Sequence, residues 1–258
     1  MFDFLFKKKY GLALGAGGAK GIVYIGVIKA LKELDIKITH IGGSSIGSLI
    51  GGMYALWGDI NKVEEIVLSY DSKELIKLFR SDIGFSKGIF KGDLVLEEIE
   101  KYIENSKIED CKIPFVAVAV DLLTGEKIYH TNGLLKDAIR ASCSIPLIFK
   151  PYELNGRYLV DGGLAECVPI KATKSIGAKR VIGVNVQDFP NRNERINLKN
   201  LSLRTYIASM YHLGKRDMEL AEKKLHFDLV DYSIEELVDN AEKYIDMGYE
   251  ETKKLFSK

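Results

Sequence analysis

IKITHIGGSSIGSLIGGMYALW, residues Ile36–Trp57, is the stretch on which the fold turns. Ile36–Ile41 is a short apolar strand ending at Gly42-Gly43, and the chain continues as a helix from about Ile46 to Trp57. Between them Gly43-Ser44-Ser45-Ile46-Gly47 spells GxSxG. A serine that acts as a nucleophile must project from a sharp strand-to-helix turn. Its neighbours two residues before and after come too close to the turn to carry a Cβ. Ser45 is therefore a candidate nucleophile, with Gly43 and Gly47 as its spacers. The helix N-terminus behind it favours negative charge on a reacting oxygen. The competing reading is a glycine-rich turn with incidental serines, Ser44 standing one residue off the pattern.

The same strand-then-helix rhythm extends in both directions. Upstream, Tyr10–Leu14 is a strand, Gly15–Gly18 a loop and Ala19–Leu34 a helix. Downstream, Asp59 caps a helix with Val63, Ile66, Val67 and Tyr70 on its apolar face, and residues 81–92 form a loop. A helix from Asp93 to about Glu104, strands Pro114–Leu122 and Lys127–Thr131, and a short helix Leu135–Ala141 follow. Next come a strand Arg157–Val160, a helix opened by Pro169 and ending near Gly177, and a strand Val181–Val186. Asn191–Asn200 is a loop, Leu201–Lys224 a long helix and His226–Val230 a last strand. Ser233 and Glu236 form a capping box for the C-terminal helix. This alternation predicts an α/β fold, a mostly parallel sheet with helices on both faces, in one domain over residues 1–258.

Two further segments carry chemistry. Gly15-Ala16-Gly17-Gly18-Ala19-Lys20-Gly21 lies between strand and helix, where backbone N–H groups converge on an anion. A phosphate-binding GxxxxGK[ST] loop is excluded, because Lys20 lies between Ala19 and Gly21. A dinucleotide fingerprint fits poorly, with Lys20 where the third glycine belongs. One βα unit from a candidate nucleophile, the loop suits an oxyanion hole, with Gly17 and Gly18 as donors and Lys20 as a nearby charge. Asp161-Gly162-Gly163 follows the strand RYLV. It is either an ordinary Asp-Gly turn or a carboxylate at the strand end where α/β sheets place their sites. A carboxylate there can serve a serine as general base.

Composition narrows the rest. The chain has 258 residues, 47% of them hydrophobic and 28% charged, as in a globular protein rather than a disordered one. Thirty-seven Lys plus Arg against thirty-six Asp plus Glu leave +1 and give no reason to expect nucleic acid as a partner. No apolar run approaches the roughly 20 residues of a spanning helix. MFDFLFKKKYG has its apolar part before its charges, the reverse of a secretory signal. Cys111, Cys143 and Cys167 are odd in number and form no CxxC, and the histidines form no HxxxH, so a metal or disulfide framework is not expected. Free thiols suit a cytoplasmic location. Phe2, Phe4, Leu5 and Phe6 beside Lys7–Lys9 suit a peripheral contact with an anionic lipid surface, or a start whose aromatics cover the domain.

The glycine loop, GxSxG and the late Asp-Gly-Gly, in this order, resemble the patatin-like phospholipase family. The blocks AVDLLTGEKIYHTNG (Ala119–Gly133), AIRASCSIPLIFKP (Ala138–Pro151), GRYLVDGGLAECVPI (Gly156–Ile170) and GAKRVIGVNV (Gly177–Val186) continue the resemblance from about Tyr10 to Val186. Residues 200–258 form an extension with nothing diagnostic. The resemblance implies a three-layer α/β/α fold and a Ser–Asp dyad, Ser45 as nucleophile and Asp161 as base. It further implies an acyl-enzyme, no metal or cofactor, and a lipid substrate: carboxylic esters of phospholipids or other acylglycerols. It also suggests that Arg140 and Ser142 support the site wall, where a helix-end ion pair is the alternative. Ala16, Lys20, Leu147 and Glu166-Cys167 depart from the family's usual Gly, Arg, Gly and Asn-Asn. No histidine (His40, His130, His212, His226) stands in a triad context. Two rival functions are an esterase of soluble short-chain esters and an anion- or nucleotide-binding module using the Gly15–Gly21 loop.

Overall fold

The computed structural model of the chain describes residues 8–82, 89–189, 198–229 and 232–257. Among them one sheet contains β1 (Lys9–Leu14), β2 (Lys37–Ser44), β3 (Phe115–Asp121), β4 (Lys127–His130), β5 (Tyr152–Leu154), β6 (Arg157–Asp161), β7 (Val181–Asn185) and β8 (Lys223–His226). The helices are α1 (Val23–Glu33), α2 (Ile46–Trp57), α3 (Ile60–Leu68), α4 (Ser72–Ser81), α5 (Asp93–Ile103), α6 (Leu135–Ser142), α7 (Ile170–Ser175), α8 (Leu198–Met218), α9 (Ile234–Asp239) and α10 (Ala241–Phe256). β3, β2, β1, β7 and β8 run parallel in that order; β4 and β6 run antiparallel to β3, and β5 to β6.

Successive strand residues point to opposite faces, so each buried strand feeds two layers. Leu12, Leu14, Phe115, Ala117, Ile182 and Val184 join the main core with α1, α2 and α10. Ala13 and Val181 face the other way, against Ile170 of α7 and Met218 of α8. Val116 and Val118 face Ala172 of α7. The result is the three-layer α/β/α arrangement expected of the sequence.

The pairing around β3 positions everything that follows. Ser44 pairs with Val118, and Asp161 pairs with Ala119. Val118 and Ala119 also pair with Tyr129 and Ile128 of β4. A strand has two edges, so β2 and β6 share the edge of β3 opposite β4. β2 ends on that edge at Ser44, and β6, arriving from the opposite direction, ends at Asp161. The two strand ends meet.

Several boundaries differ from expectation, each for a local reason. The first helix opens as a 3-10 turn over Gly18–Ile22 before α1 begins. β2 continues through Gly42 and Gly43 to Ser44, because glycines in a strand still pair while making room for neighbours. Asp59 caps α3 as expected, accepting from Asn61 N, but α4 follows in what had no distinct helical pattern, and residues 83–88 of the expected loop lie outside the described ones. β5 was not anticipated. The long C-terminal helix spans 198–218 rather than 201–224, and the last strand is Lys223–His226 rather than His226–Val230. Buried Leu225, Phe227 and Leu229 alternate with exposed Lys224, His226 and Asp228, a period of two that belongs beside β7. Ser233 accepts from Glu236 N and opens α9, and the chain breaks at Asn240 before α10. The N-terminal aromatic and lysine segment and residues 190–197 lie outside the described residues. No helix among those described is long and apolar enough to cross a membrane.

α10 closes the main core by crossing α1 at two glycines. A Cβ on Gly26 would overlap the Ile245 carbonyl oxygen, and one on Gly248 the Val23 carbonyl oxygen. Both obstacles are backbone and cannot rotate away. Gly26→Val is expected to lower stability by about 3 kcal/mol or more, measured as a fall in the urea midpoint. The exposed Lys32→Ala in the same helix should leave that midpoint nearly unchanged.

Candidate active site

Ser45 sits where β2 turns into α2, with φ 54° and ψ −127°. A non-glycine residue there carries strain on the order of 1–3 kcal/mol and needs surroundings that enforce it. Ser142 Oγ accepts from Ser45 N at 2.9 Å, and Ser48 Oγ donates to the Ser45 carbonyl at 2.6 Å. Gly43 and Gly47 are required by close approach: a Cβ on Gly43 would overlap the backbone of Ser48, and one on Gly47 the Leu14 carbonyl. Ser44, the off-register candidate, donates instead to the Glu166 carbonyl at 2.7 Å. Ser44 and Ser48 hydroxyls are thus committed to carbonyls, and Ser45 is the serine at the turn.

The glycine loop packs beside this turn. Gly15 N donates to Val184 O, Ala16 N to Cys167 O, and the Tyr24 hydroxyl to Gly15 O. Gly21 lies against the Ile46 side chain, next to Ser45. Gly17 caps the 3-10 turn, whose leading amides have no partner within the turn. Gly18 has φ 58°, with open space where a side chain would stand. Lys20 reaches toward the end of β7, donating to Gln187 Oε1 at 3.2 Å. Burial lowers its pKa, against the pull of Cys167, Asp188 and Asp228.

Asp161 is fully buried. Its Oδ1 accepts from Gly163 N at 2.8 Å, while Oδ2 is buried without a hydrogen bond. Burial pushes the carboxyl up to about 6, opposed by the Ser45 hydroxyl, the Gly163 amide and the Tyr206 hydroxyl. Those hydroxyls stand at the carboxylate, although neither closes a bond of ordinary geometry on Oδ2. Gly162 packs on the Val118 carbonyl, and Gly163 lies between Ala16 and Met210. The three motifs of the sequence are therefore neighbours in space. The thiols of Cys143 and Cys167 also feel the Asp161 charge; desolvation raises both, Cys143 to about 12.

Around this centre, the Arg140 guanidinium donates to the carbonyls of Gly92, Lys91 and Lys150 and to Ser144 Oγ. It braces the wall at the end of α6, from which Ser142 reaches Ser45, and forms no ion pair among the described residues. Leu147 takes a left-handed backbone with φ 71°. The Glu166 carboxylate is satisfied by Lys127 at 3.0 Å, Tyr129 and Ala172 N. His226 closes β8, half-exposed and paired with Asp188. It lies three strand spacings, about 14 Å, from β2. No group of three or more His, Cys, Asp or Glu that could hold a metal occurs among the described residues. Sequence motifs did not reveal Tyr206 and Met210. Their one signal is a four-residue spacing on a helix.

The sequence model of the patatin-like phospholipases matches residues 12–174, and the chain belongs to that family. An NTE family protein of Mycobacterium tuberculosis is 35% identical over 178 residues, 69% of this chain and 49% of the relative. Lysophospholipase NTE1 of Mycosarcoma maydis is 31% identical over 206 residues, 72% of this chain and 10% of the relative. The chain thus spans about half the length of the mycobacterial relative and a tenth of the fungal one. VipD from Legionella pneumophila shares the fold, with TM-score 0.57 and 13% identity over 97% of this chain and 67% of that one.

The raised pKa of Asp161 makes a stability prediction. Between its ordinary 3.8 and about 6 the native state holds a proton that the unfolded chain has released. Stability therefore falls as pH rises through that window and stays reduced above it. Asp161→Asn carries no such cost. It should be more stable than the parent near pH 8, by up to about 3 kcal/mol, with the advantage gone near pH 3. Asp217, also pushed up to about 6 by burial, is common to both proteins and cancels. Denaturant titrations of both proteins at the two pH values check this.

Proposed function

We propose that the protein is a lipid acyl hydrolase in which Ser45 is the nucleophile and Asp161 its general base. The observation that carries the reading is the junction of two strand ends, which brings a strained serine to a buried carboxylate whose pKa is raised to about 6. Such a carboxylate is ionised at neutral pH yet basic enough to accept a proton during attack.

In the first half-reaction the Ser45 proton passes to Asp161 and Oγ bonds to the ester carbonyl carbon. The amides of Gly17 and Gly18 hold the oxyanion, with the partly buried Lys20 charge behind them. The alcohol leaves with the proton from Asp161. Water then gives a proton to Asp161 and attacks the acyl carbon. The Ser45–acyl bond breaks, and Oγ recovers its hydrogen. Asp161 thus takes up and returns a proton twice, first from Ser45 to the leaving alcohol and then from water to Ser45.

Family membership and the lysophospholipase name of the fungal relative support carboxylic esters of phospholipids or other acylglycerols as substrates. Exposed Leu122, Leu123, Leu147 and Phe189 follow elements that end at the same sheet edge, an apolar fringe suited to a lipid surface. Comparing turnover of a long-chain phospholipid in vesicles with that of a soluble short ester separates lipid hydrolysis from simple esterase activity.

Ser45→Ala should reduce ester turnover at least about a thousandfold and prevent labelling by a fluorophosphonate, while Ser44→Ala retains labelling. Because only ionised Asp161 accepts the proton, kcat/KM of the parent should fall as pH drops through about 6. Near-parental turnover by Ser45→Ala, or an unlabelled parent, would remove the serine mechanism and favour an anion-binding role for the glycine loop.

A further inference from the structure

α8 lies outside the residues matched by the family model, yet one stripe of it runs along the site. Tyr206, Met210, Gly214 and Asp217 recur at spacings of four, four and three, which places them on one helical face. Asp217 Oδ2 accepts from Val168 N at 3.2 Å. A Cβ on Gly214 would stand 3.2 Å from Asn185 and 3.3 Å from the Cys167 sulfur, so the helix backbone there touches the site wall. Met210 is buried against Ala16 and Cys167 and reaches Gly163. Tyr206 packs on that same cluster, with its hydroxyl at Asp161. Four levels of contact thus hold α8 against the site, with the Tyr206 hydroxyl at Asp161.

A buried carboxylate oxygen without a donor is costly, and Asp161 Oδ2 is such an oxygen. The Gly163 amide is committed to Oδ1. Among the described residues, the side-chain groups that act on the carboxylate are the Ser45 and Tyr206 hydroxyls and the thiols of Cys143 and Cys167, none of them cationic. Lys20 and Asp217 act on the Cys167 thiol, and Arg140 acts on that of Cys143. Ser45 loses its hydrogen on forming the acyl-enzyme, so for that half of the cycle Tyr206 is the hydroxyl that remains.

We propose that Tyr206 is a positioning residue that donates a hydrogen bond to Asp161 and keeps this base anionic and oriented through deacylation. The inference rests on the Ser45–Asp161 reading above. Tyr206 transfers no proton. The water proton goes to Asp161 as the water oxygen bonds to the acyl carbon, and Asp161 returns a proton to Ser45 Oγ as the ester bond breaks. Burial drives the phenol far above its usual pKa, so it remains a donor at every working pH.

The test is Tyr206→Phe, which keeps the ring on Ala16 and Cys167 and removes only the hydroxyl. With a p-nitrophenyl ester in stopped flow, deacylation should slow about tenfold or more, acylation should slow less, and acyl-enzyme should accumulate as a larger burst. The acid limb of kcat should move to higher pH, because the Asp161 anion has lost a donor. Fluorotyrosine at position 206, a stronger donor of nearly the same shape, should move that limb to lower pH. This second variant decides the matter even should the phenylalanine variant fold poorly. A role in packing alone gives parental burst and pH profiles in both variants and overturns the inference. Activity surviving in Ser45→Ala or Asp161→Asn would instead overturn the dyad on which it rests.

Discussion

The site depends on two strands ending against each other along one edge of β3. β2 stops at Ser44 opposite Val118, and β6 stops at Asp161 opposite Ala119. Backbone pairing to a third, central strand therefore sets the distance between Ser45 and Asp161. Side-chain contacts refine that distance but do not create it. The antiparallel direction of β6 matters for this reason: a parallel β6 would bring its other end to Ser45.

Two local costs are concentrated at that junction. Ser45 occupies a backbone conformation that bulky residues avoid, and Asp161 keeps a carboxylate in an interior with no salt bridge from the described residues to balance it. The surroundings compensate with ordinary polar contacts. Ser142 takes the Ser45 amide, Ser48 the Ser45 carbonyl, and Gly163 one carboxylate oxygen. The second carboxylate oxygen lacks a bond. This pattern, a strained turn beside an under-satisfied carboxylate, is one that stability alone would not select.

The stripe of α8 shows how a segment without a family motif contributes to a family site. Tyr206, Met210, Gly214 and Asp217 meet residues from β1 to β7 and the turn after β6. Helix spacing makes them neighbours, and none needs a glycine-rich or otherwise conspicuous sequence. A helix that also braces the Cys167–Val168 backbone couples the position of the Tyr206 ring to the segment that follows Asp161.

Much was legible before any coordinates. GxSxG demanded a tight strand-to-helix turn because close backbone approach excludes side chains at two spacings, and Gly43 and Gly47 meet that demand. The βα alternation specified a mostly parallel three-layer fold because a buried strand and an amphipathic helix leave few ways to cover a sheet. Asp59 and Ser233 announced helix starts through local capping, which needs only residues close in sequence. Other features involve partners far along the chain, and these only the tertiary structure decided. The end of α8 and the start of β8 depended on pairing with β7. The separation of Ser45 from the committed hydroxyls of Ser44 and Ser48 depended in part on the Glu166 carbonyl. The basicity of Asp161 came from burial, which no motif encodes. Sequence determines local geometry wherever sterics act within a few residues; the electrostatics of the site arise from what the fold removes from water.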